Sequence, residues 1–228
     1  MTTRTILLTG ASGGIGSVVA EAFARDGWRT VLCGRSKSAL ESTAQAVTAA
    51  GGDPVVRPLD VRDEDAVFDV LLETIPEALD VLIPAAAIMT HPPGARPLDE
   101  EDYEDVRTVL ETNVYGLFAV IREALQFMDP DGRVLVPSGS VARDPKPGMG
   151  MYAPSKAAAE ALARGFAVDV EQTVGIVDPG LVATDLTGQQ GRDPADVAEL
   201  FRWAGVECPA AELDGEIVGL RAWMQATR

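Results

Sequence analysis

Short apolar runs alternate with segments of helical periodicity along most of this chain. The apolar runs cover residues 5–8, 30–33, 55–59, 81–83, 133–136 and 174–177. The helical patterns cover residues 15–25, 39–50, 64–72, 99–128 and 151–168. Because a regular alternation of strands and helices is typical of βαβ units, the pattern predicts an α/β fold with a doubly wound parallel sheet of Rossmann type.

The end of the chain is less regular. Residues 185–213 predict loop and short helix, and residues 216–223 predict a final strand that Gly219 weakens. No repeat and no low-complexity linker divides the sequence, and 228 residues are a common size for one α/β domain. We therefore predict a single domain over residues 1–228.

The charge and the cysteines narrow the range of partners and locations. The 35 acidic and 19 basic side chains give a net charge of −16, which repels nucleic-acid phosphates and anionic membrane surfaces. The sequence has two cysteines, Cys33 and Cys208, which indicates reduced thiols and not a disulfide framework. No apolar run approaches the ~18 residues of a membrane-spanning helix. We expect a cytoplasmic protein that binds neither nucleic acid nor membrane.

A glycine-rich loop joins the first predicted strand to the first predicted helix. Residues 9–16 read T-G-A-S-G-G-I-G. Glycines allow a tight turn and a close approach to a pyrophosphate, and the helix start offers unpaired N–H groups to the anion. A purely structural turn would also use glycine, but the position directly after the strand favours a dinucleotide-binding loop. Its expected binding residues are Gly10, Ser12, Gly14, Ile15 and Gly16.

The end of the second predicted strand bears on which dinucleotide is bound. NAD-selective folds usually carry an acidic residue there to hold the ribose hydroxyl, whereas this chain has Gly34 followed by Arg35 and Ser36. Arg35 and Ser36 can bind a 2′-phosphate, so the sequence favours NADP over NAD. The alternative for Arg35 is a solvated surface charge. After the third strand, Asp60 and Val61 are candidates to hold the adenine, although Asp60 could equally cap the next helix.

Tyr152 and Lys156 lie one helical turn apart in the predicted helix 151–168. A phenol normally titrates near pH ~10, and a cation about 4–6 Å away favours the phenolate, so the pair can form an acid and base that works near neutral pH. A solvated helix face would show the same spacing. The glycine loop upstream gives the catalytic interpretation its weight.

Several motifs, in this order, resemble the short-chain dehydrogenase/reductase family over residues 3–186. They are T-G-x-x-x-G-x-G at 9–16, T-N-V-Y-G at 112–116, S-G-S-V at 138–141, Y-x-x-x-K at 152–156 and D-P-G-L-V-A-T at 178–184. The resemblance implies a catalytic tetrad of Asn113, Ser140, Tyr152 and Lys156. Ser140 is preferred because it precedes Val141 and lies twelve residues before Tyr152, which matches the usual layout of the family. Ser138 remains an alternative.

The resemblance also implies a cofactor site and a reaction. The further residues that it implies for the cofactor are Ala86, Pro179, Gly180, Val182 and Thr184, besides Tyr152 and Lys156. The expected reaction is reversible hydride transfer between NADP(H) and a small carbonyl or alcohol substrate, with Tyr152 as acid and base and residues 185–213 covering the substrate. A homodimer or homotetramer through the two long helices is expected. Dehydration or epimerisation, and NADP(H) sensing without turnover, stay open as alternatives.

One segment departs from the family. Where the family usually has Asn-Asn-Ala-Gly after the fourth strand, this chain has P-A-A-A at residues 84–87 and retains the third position, Ala86. Pro84 has no N–H to donate and Ala85 has no amide side chain, so the support of the strand and the cofactor contacts are expected to differ there.

The single histidine and an acidic run complete the candidate chemistry. Because His91 is the one histidine of the sequence, a His-based triad and a multi-His metal site are excluded by count. A surface-loop position is preferred for His91 over a substrate contact. The acidic run at residues 99–105 is expected to favour a helix N-terminus and to stay solvated, so no metal site is predicted.

Overall fold

A single parallel sheet of seven strands forms the centre of the protein. The computed structural model describes residues 3–228. Its strands are β1 (Thr5–Thr9), β2 (Arg29–Gly34), β3 (Asp53–Pro58), β4 (Leu79–Pro84), β5 (Met128–Pro137), β6 (Thr173–Asp178) and β7 (Ile217–Gly219). Their order in space is β3-β2-β1-β4-β5-β6-β7, and neighbouring strands are parallel. The predicted doubly wound fold is confirmed. The strand order reverses between β1 and β4, and sheets of this kind bind ligands at that point.

Helices cover both faces of the sheet. They are α1 (Gly14–Ala24), α2 (Lys37–Ala49), α3 (Glu64–Thr74), α4 (Tyr103–Leu110), α5 (Gly116–Ala124), α6 (Tyr152–Asp169), α7 (Ala195–Val206), α8 (Ala210–Leu213) and α9 (Leu220–Ala226). Phe23 of α1 and Phe201 of α7 are fully buried in one apolar layer. Leu71 of α3 and Ile121 of α5 are buried in the layer on the other face. The sheet is therefore apolar on both sides, as expected for a parallel sheet.

The helix predicted over residues 99–128 begins later and changes geometry midway. After a 3-10 turn at Leu98–Glu100, α4 starts at Tyr103, and a π-helical turn at Glu111–Tyr115 connects it to α5. A π turn widens the helix by one residue and often occurs at functional sites. Here it directs Asn113 toward the segment that follows β4.

The C-terminal part differs more from the prediction. The final strand ends at Gly219, which is the partner of the last residue of β6, so the rest of the predicted strand 216–223 has no strand to pair with and forms α9 instead. Residues 195–206 form α7, whose Phe201 and Trp203 are buried in the core. A loop that covers a substrate is thus limited to the residues before α7.

Two further sequence expectations concern the cysteines and the membrane. Cys33 and Cys208 are buried free thiols, as predicted. Among the described residues, no helix combines the length and the apolar character needed to cross a bilayer.

Candidate active site

The glycine loop between β1 and α1 is built for close approach. Gly10 has a φ of +67°, and a Cβ there would lie 2.8 Å from the carbonyl carbon and oxygen of Ala85. A Cβ on Gly16 would lie 2.4 Å from the Gly10 carbonyl oxygen, whereas one on Gly13 would meet no described atom within 4 Å. Within residues 3–228, no side chain caps the start of α1. Free N–H groups facing an open space fit a pyrophosphate.

A cleft of about 740 Å³ opens beside this loop at the carboxyl ends of the strands. Its volume lies within the ~300–1,000 Å³ typical of ligand pockets. The predicted site residues that border it are Gly10, Ser12, Gly14, Ile15, Gly16, Arg35, Asp60, Val61, Ala86, Tyr152, Lys156 and Thr184. Those that do not border it are Ser36, Asn113, Ser140, Pro179, Gly180 and Val182.

The residues after β2 and β3 form the end of the cleft expected to hold adenosine. Arg35 is exposed and borders the cleft, whereas the Ser36 hydroxyl accepts the Ala39 N–H at 3.4 Å and so caps α2. Asp60 pairs with Arg62 at 2.6 Å. This hydrogen bond is the main cause that lowers the pKa of Asp60, and the charge of Arg35 adds to it. Arg35 therefore places a positive charge at the border of the cleft, whereas the Ser36 hydroxyl caps α2.

The altered segment after β4 is supported from β1. Pro84 is the register partner of Thr9. The buried Thr9 hydroxyl accepts the Ala86 N–H at 3.1 Å, and the Ala85 N–H is bonded to the Ile83 carbonyl. A threonine of β1 therefore orders the backbone of this segment, although Pro84 cannot donate a hydrogen bond.

Tyr152 and Lys156 lie in the first turns of α6 and face the cleft. The Lys156 Nζ donates to the Pro137 carbonyl at 2.6 Å. Burial raises the pKa of Tyr152 to about 12. Burial also lowers the pKa of Lys156 to about 8, and the charge of Glu160 opposes this shift. The expected lowering of the Tyr152 pKa by Lys156 is not found, because burial dominates at the phenol and the ammonium is held at Pro137.

Asn113 lies beneath the cleft. Its Oδ1 accepts the Ile88 N–H at 2.8 Å, and its Nδ2 donates to the Ile88 carbonyl at 2.9 Å and to the Ser155 hydroxyl at 3.0 Å. Both Nδ2 hydrogens and one acceptor site of Oδ1 thus join the π turn to the segment after β4 and to α6. These bonds hold the Asn113 side chain behind the cleft, and its expected place in the catalytic tetrad stays a prediction.

The two candidate serines occupy different environments. Ser138 follows β5, borders the cleft, and donates its hydroxyl to Glu160 Oε1 at 2.7 Å. Ser140 opens a 3-10 turn and is exposed. The structure therefore brings Ser138, and not Ser140, to the cleft. The family spacing nevertheless favours Ser140, so the choice between the two serines stays a prediction.

The segment after β6 turns back over the glycine loop. Gly180 has a φ of +74°, and its N–H donates to the Asp178 carboxylate at 2.9 Å. Val182 is buried, whereas Thr184 lies so close to the loop that a Cβ on Gly14 would be 3.2 Å from its methyl group. Pro179, Gly180 and Val182 thus shape the turn that places Thr184 at the cleft.

His91 and part of the acidic run are packed together beside Tyr152, which the sequence interpretation missed. His91 borders the cleft, and its Nε2 lies 3.0 Å from Asp105 Oδ2. The side chain of Glu101 is buried and that of Asp105 is partly buried. The sequence predicted solvated carboxylates at these two positions, and this prediction was wrong. The position of His91 shortly after the fourth strand, at the edge where ligands bind, favoured the substrate contact that the sequence interpretation ranked second.

Fold and cleft together define a nucleotide-binding α/β protein with a tyrosine and a lysine at its site. The family profile described as short chain dehydrogenase matches residues 4–195. The chain belongs to the short-chain dehydrogenase family, whose members are oxidoreductases that use a nicotinamide cofactor.

Relatives of known name cover nearly the whole chain. Gluconate 5-dehydrogenase of Gluconobacter oxydans (strain 621H) is 34% identical, over 96% of this chain and 86% of that protein. The cyclic-di-GMP-binding biofilm dispersal mediator protein of Escherichia coli (strain K12) is also 34% identical, over 90% and 91%. The structure of an alcohol dehydrogenase from Thermococcus sibiricus complexed with 5-hydroxy-NADP superposes with a TM-score of 0.82 at 26% identity, covering 96% of each chain.

Proposed function

We propose that this protein is an NADP(H)-dependent reductase of a small ketone or aldehyde, or oxidises the corresponding alcohol, with Tyr152 as acid and base. One observation carries the proposal: Tyr152 and Lys156 border the same cleft as the glycine loop. A dinucleotide bound at the glycine loop and a small substrate bound at the Tyr152 phenol would therefore occupy the same cleft. The two reduced, buried thiols suit a cytoplasmic location.

The residues around the cleft fit a dinucleotide. The N–H groups of the glycine loop would hold the pyrophosphate, and Arg35 would pair with a 2′-phosphate. Asp60 and Val61 would contact the adenine, and Lys156 the ribose of the nicotinamide. Ala86 and Thr184 would border the nicotinamide half. When bound, NADP(H) supplies the hydride donor or acceptor.

Tyr152 would provide the proton. Since burial raises the pKa of Tyr152 to about 12, the phenol stays protonated at neutral pH and can donate to the oxygen of a carbonyl that gains a hydride. The protonated phenol is the form that reduction of a carbonyl requires. For oxidation of an alcohol, the phenolate would be needed, and the Lys156 ammonium is the nearby charge able to stabilise it.

The decisive experiment measures turnover and cofactor binding in one pair of variants. Tyr152→Phe removes the hydroxyl and should lower the rate of NADPH oxidation with a panel of ketones, aldehydes and quinones by about 10²–10⁴-fold. NADPH binding, followed by fluorescence, should stay close to that of the unmodified protein. Tyr103→Phe is the matched control, because Tyr103 is 83% exposed on α4. Unchanged turnover in Tyr152→Phe would refute the acid assignment.

The cofactor preference is tested separately at Arg35. Arg35→Ala should weaken NADPH binding more than NADH binding, because a guanidinium pairs with the phosphate that NADH lacks. A hydrogen bond to a charged group typically contributes about 1.5–3 kcal/mol, so the loss should reach roughly tenfold or more. Equal loss for both dinucleotides would contradict the NADP assignment.

A second candidate is a nucleotide-binding regulatory protein without turnover. It is favoured by the similarity to a relative whose name states cyclic-di-GMP binding and biofilm dispersal. Titration of the protein with cyclic-di-GMP and with NADPH, alongside the substrate panel, separates the two functions. Dehydration or epimerisation at the same site would instead yield a product of changed mass or configuration without net consumption of NADPH.

A further inference from the structure

A small cavity lies next to Tyr152, at the side of the large cleft, and His91 and Tyr152 line both. Its volume is about 10 Å³, which is room for a single water-sized atom. Its lining includes His91, Arg96, Glu101 and Tyr152. A site of this size has room for one ion or one small group.

Glu101 is the unusual member of this lining. Its side chain is 5% exposed, and its Oε1 accepts the Met151 N–H at 2.9 Å. Within residues 3–228, the other oxygen, Oε2, is buried and accepts no hydrogen bond. Burial of a carboxylate oxygen without a hydrogen-bond donor costs free energy, and a cation at this position would remove that cost.

His91 does not provide that partner. Its Nε2 lies 3.0 Å from Asp105 Oδ2 but 4.0 Å from Glu101 Oε2, which is beyond a hydrogen bond. One ring N–H can serve Asp105, and Glu101 is then left unpaired. Arg96 lines the cavity as well, but its Nη1 donates to the Glu100 carbonyl and to Asp102, and within residues 3–228 no group donates to Glu101 Oε2.

The three side chains have the spacing of metal ligands. One ligating atom from each of His91, Glu101 and Asp105 lies within 4.8 Å of the other two. An ion bound at about 2.0–2.2 Å in tetrahedral geometry holds its ligands about 3.3–3.6 Å apart. The two distances from His91 Nε2, 3.0 and 4.0 Å, bracket that separation, and the ligating atoms of Glu101 and Asp105 lie within 4.8 Å of each other. Small side-chain movements would therefore bring three of four tetrahedral ligands into place.

We propose that His91, Glu101 and Asp105 bind one divalent transition-metal ion beside Tyr152. One imidazole nitrogen and two carboxylate oxygens suit ions such as Zn²⁺ and Mn²⁺, which accept mixed nitrogen and oxygen ligands. The ion would supply the positive charge that Glu101 Oε2 lacks. It would also join the segment after β4, which carries His91, to α4 and, through Glu101, to the start of α6 at Met151. This site goes beyond the proposed function and does not depend on it.

The test uses metal binding by the full chain without cofactor or substrate. After treatment with a chelator and its removal, the protein is titrated with Mn²⁺ and followed by the loss of the electron paramagnetic resonance signal of the free ion, and with Zn²⁺ by calorimetry. We expect one ion per chain. His91→Ala and Glu101→Gln should each weaken binding at least about tenfold, which corresponds to loss of one ligand of a small set. The Glu101→Gln substitution preserves the contact with Met151, because the amide oxygen can still accept its N–H.

The acidic run itself supplies the matched control. Asp102→Asn removes a carboxylate that is 70% exposed and lies next to Glu101 in sequence, and it should leave binding unchanged. Absence of binding to the unmodified chain, equal binding by Glu101→Gln, or an equal loss in Asp102→Asn would overturn the proposal. Circular dichroism establishes that each variant is folded, and Asp105→Asn replaces Glu101→Gln if the latter is not.

Discussion

Glu160 is a buried carboxylate that organises the polar residues behind the cleft. It accepts hydrogen bonds from the Ser138 hydroxyl and from Arg143, and it forms an ion pair with Arg164 one turn further along α6. Its charge also opposes the loss of the Lys156 proton. Buried carboxylates require such partners. Glu160 therefore links the position of a cleft serine to the charge of the cleft lysine.

The serine that contacts the reacting oxygen can be identified by a pair of variants. Position favours Ser138, because it borders the cleft, whereas the family motif favours the exposed Ser140. For this role the Ser138 hydroxyl has to turn its proton from Glu160 Oε1 to the substrate oxygen. We expect Ser138→Ala to lower kcat by about 10²–10³-fold, the usual cost of removing a donor to a developing oxyanion. Ser140→Ala, the matched control, should have little effect. The reverse result would assign the role to Ser140, as the motif predicts.

The charge of Lys156 should set the alkaline limit of activity. Burial lowers the pKa of Lys156 from 10.5 to about 8, so between these pH values the ammonium is lost in the folded protein while it persists in the unfolded chain. NADPH binding through this cation should weaken as the pH rises through about 8.

The stability of the folded protein should change in the opposite sense. Between about pH 8 and 10.5 the unfolded chain holds the Lys156 proton more tightly than the folded protein does, so the free energy of unfolding should increase as the pH rises through this window.

Glu160→Gln tests whether the Lys156 charge sets the alkaline limit of activity. Removal of the carboxylate deprives the ammonium of its favourable neighbour, so the alkaline fall of kcat/KM should move to lower pH. Glu207→Gln is the control, because Glu207 pairs with Arg202 and not with the lysine. A lower rate at every pH with an unmoved profile would instead indicate that Glu160 only supports the structure.

At the level of elements, the alternation of apolar runs was sufficient to predict the strands β1 to β6 and most of the helices between them. The reason is that buried parallel strands and amphipathic helices leave strong, local patterns. The glycine loop, Tyr152 and Lys156 could be placed correctly for the same reason, since each lies at a strand end or a helix start.

The features that the sequence did not predict depend on contacts between residues that are distant in sequence. The helix α7 carries apolar residues at helical spacing, yet its burial against α1 follows from the fold and not from its own pattern. The π turn is stabilised by Asn113 contacts with Ile88, which is 25 residues away. Likewise, the packing of His91 on Asp105 appears only once the loop after β4 is laid on α4. Such pairings carry no periodic signal.

The whole molecule combines a net charge of −16 with an apolar patch on the outer side of α5 and α6. Phe118 of α5 is 39% exposed and packs on Phe166 of α6 at a ring distance of 5.7 Å. Tyr115 and Val168 are also exposed, at 45% and 85%. A partly exposed pair of aromatic side chains, such as Phe118 and Phe166, is a candidate for a protein interface. The proposed homodimer or homotetramer would use this face, with each copy presenting the same helices.

Phe118→Glu should reduce the mass of the assembly measured by light scattering, to half or less of its value, because a carboxylate would be buried against the partner's apolar face. Leu98→Glu, at a residue that is 56% exposed outside these helices, should leave the mass unchanged. Since both copies are acidic, association should also strengthen as salt screens their repulsion. A protein that is monomeric without substitution, or an assembly that Phe118→Glu leaves intact, would exclude this face, and the exposed aromatic residues would then need another partner.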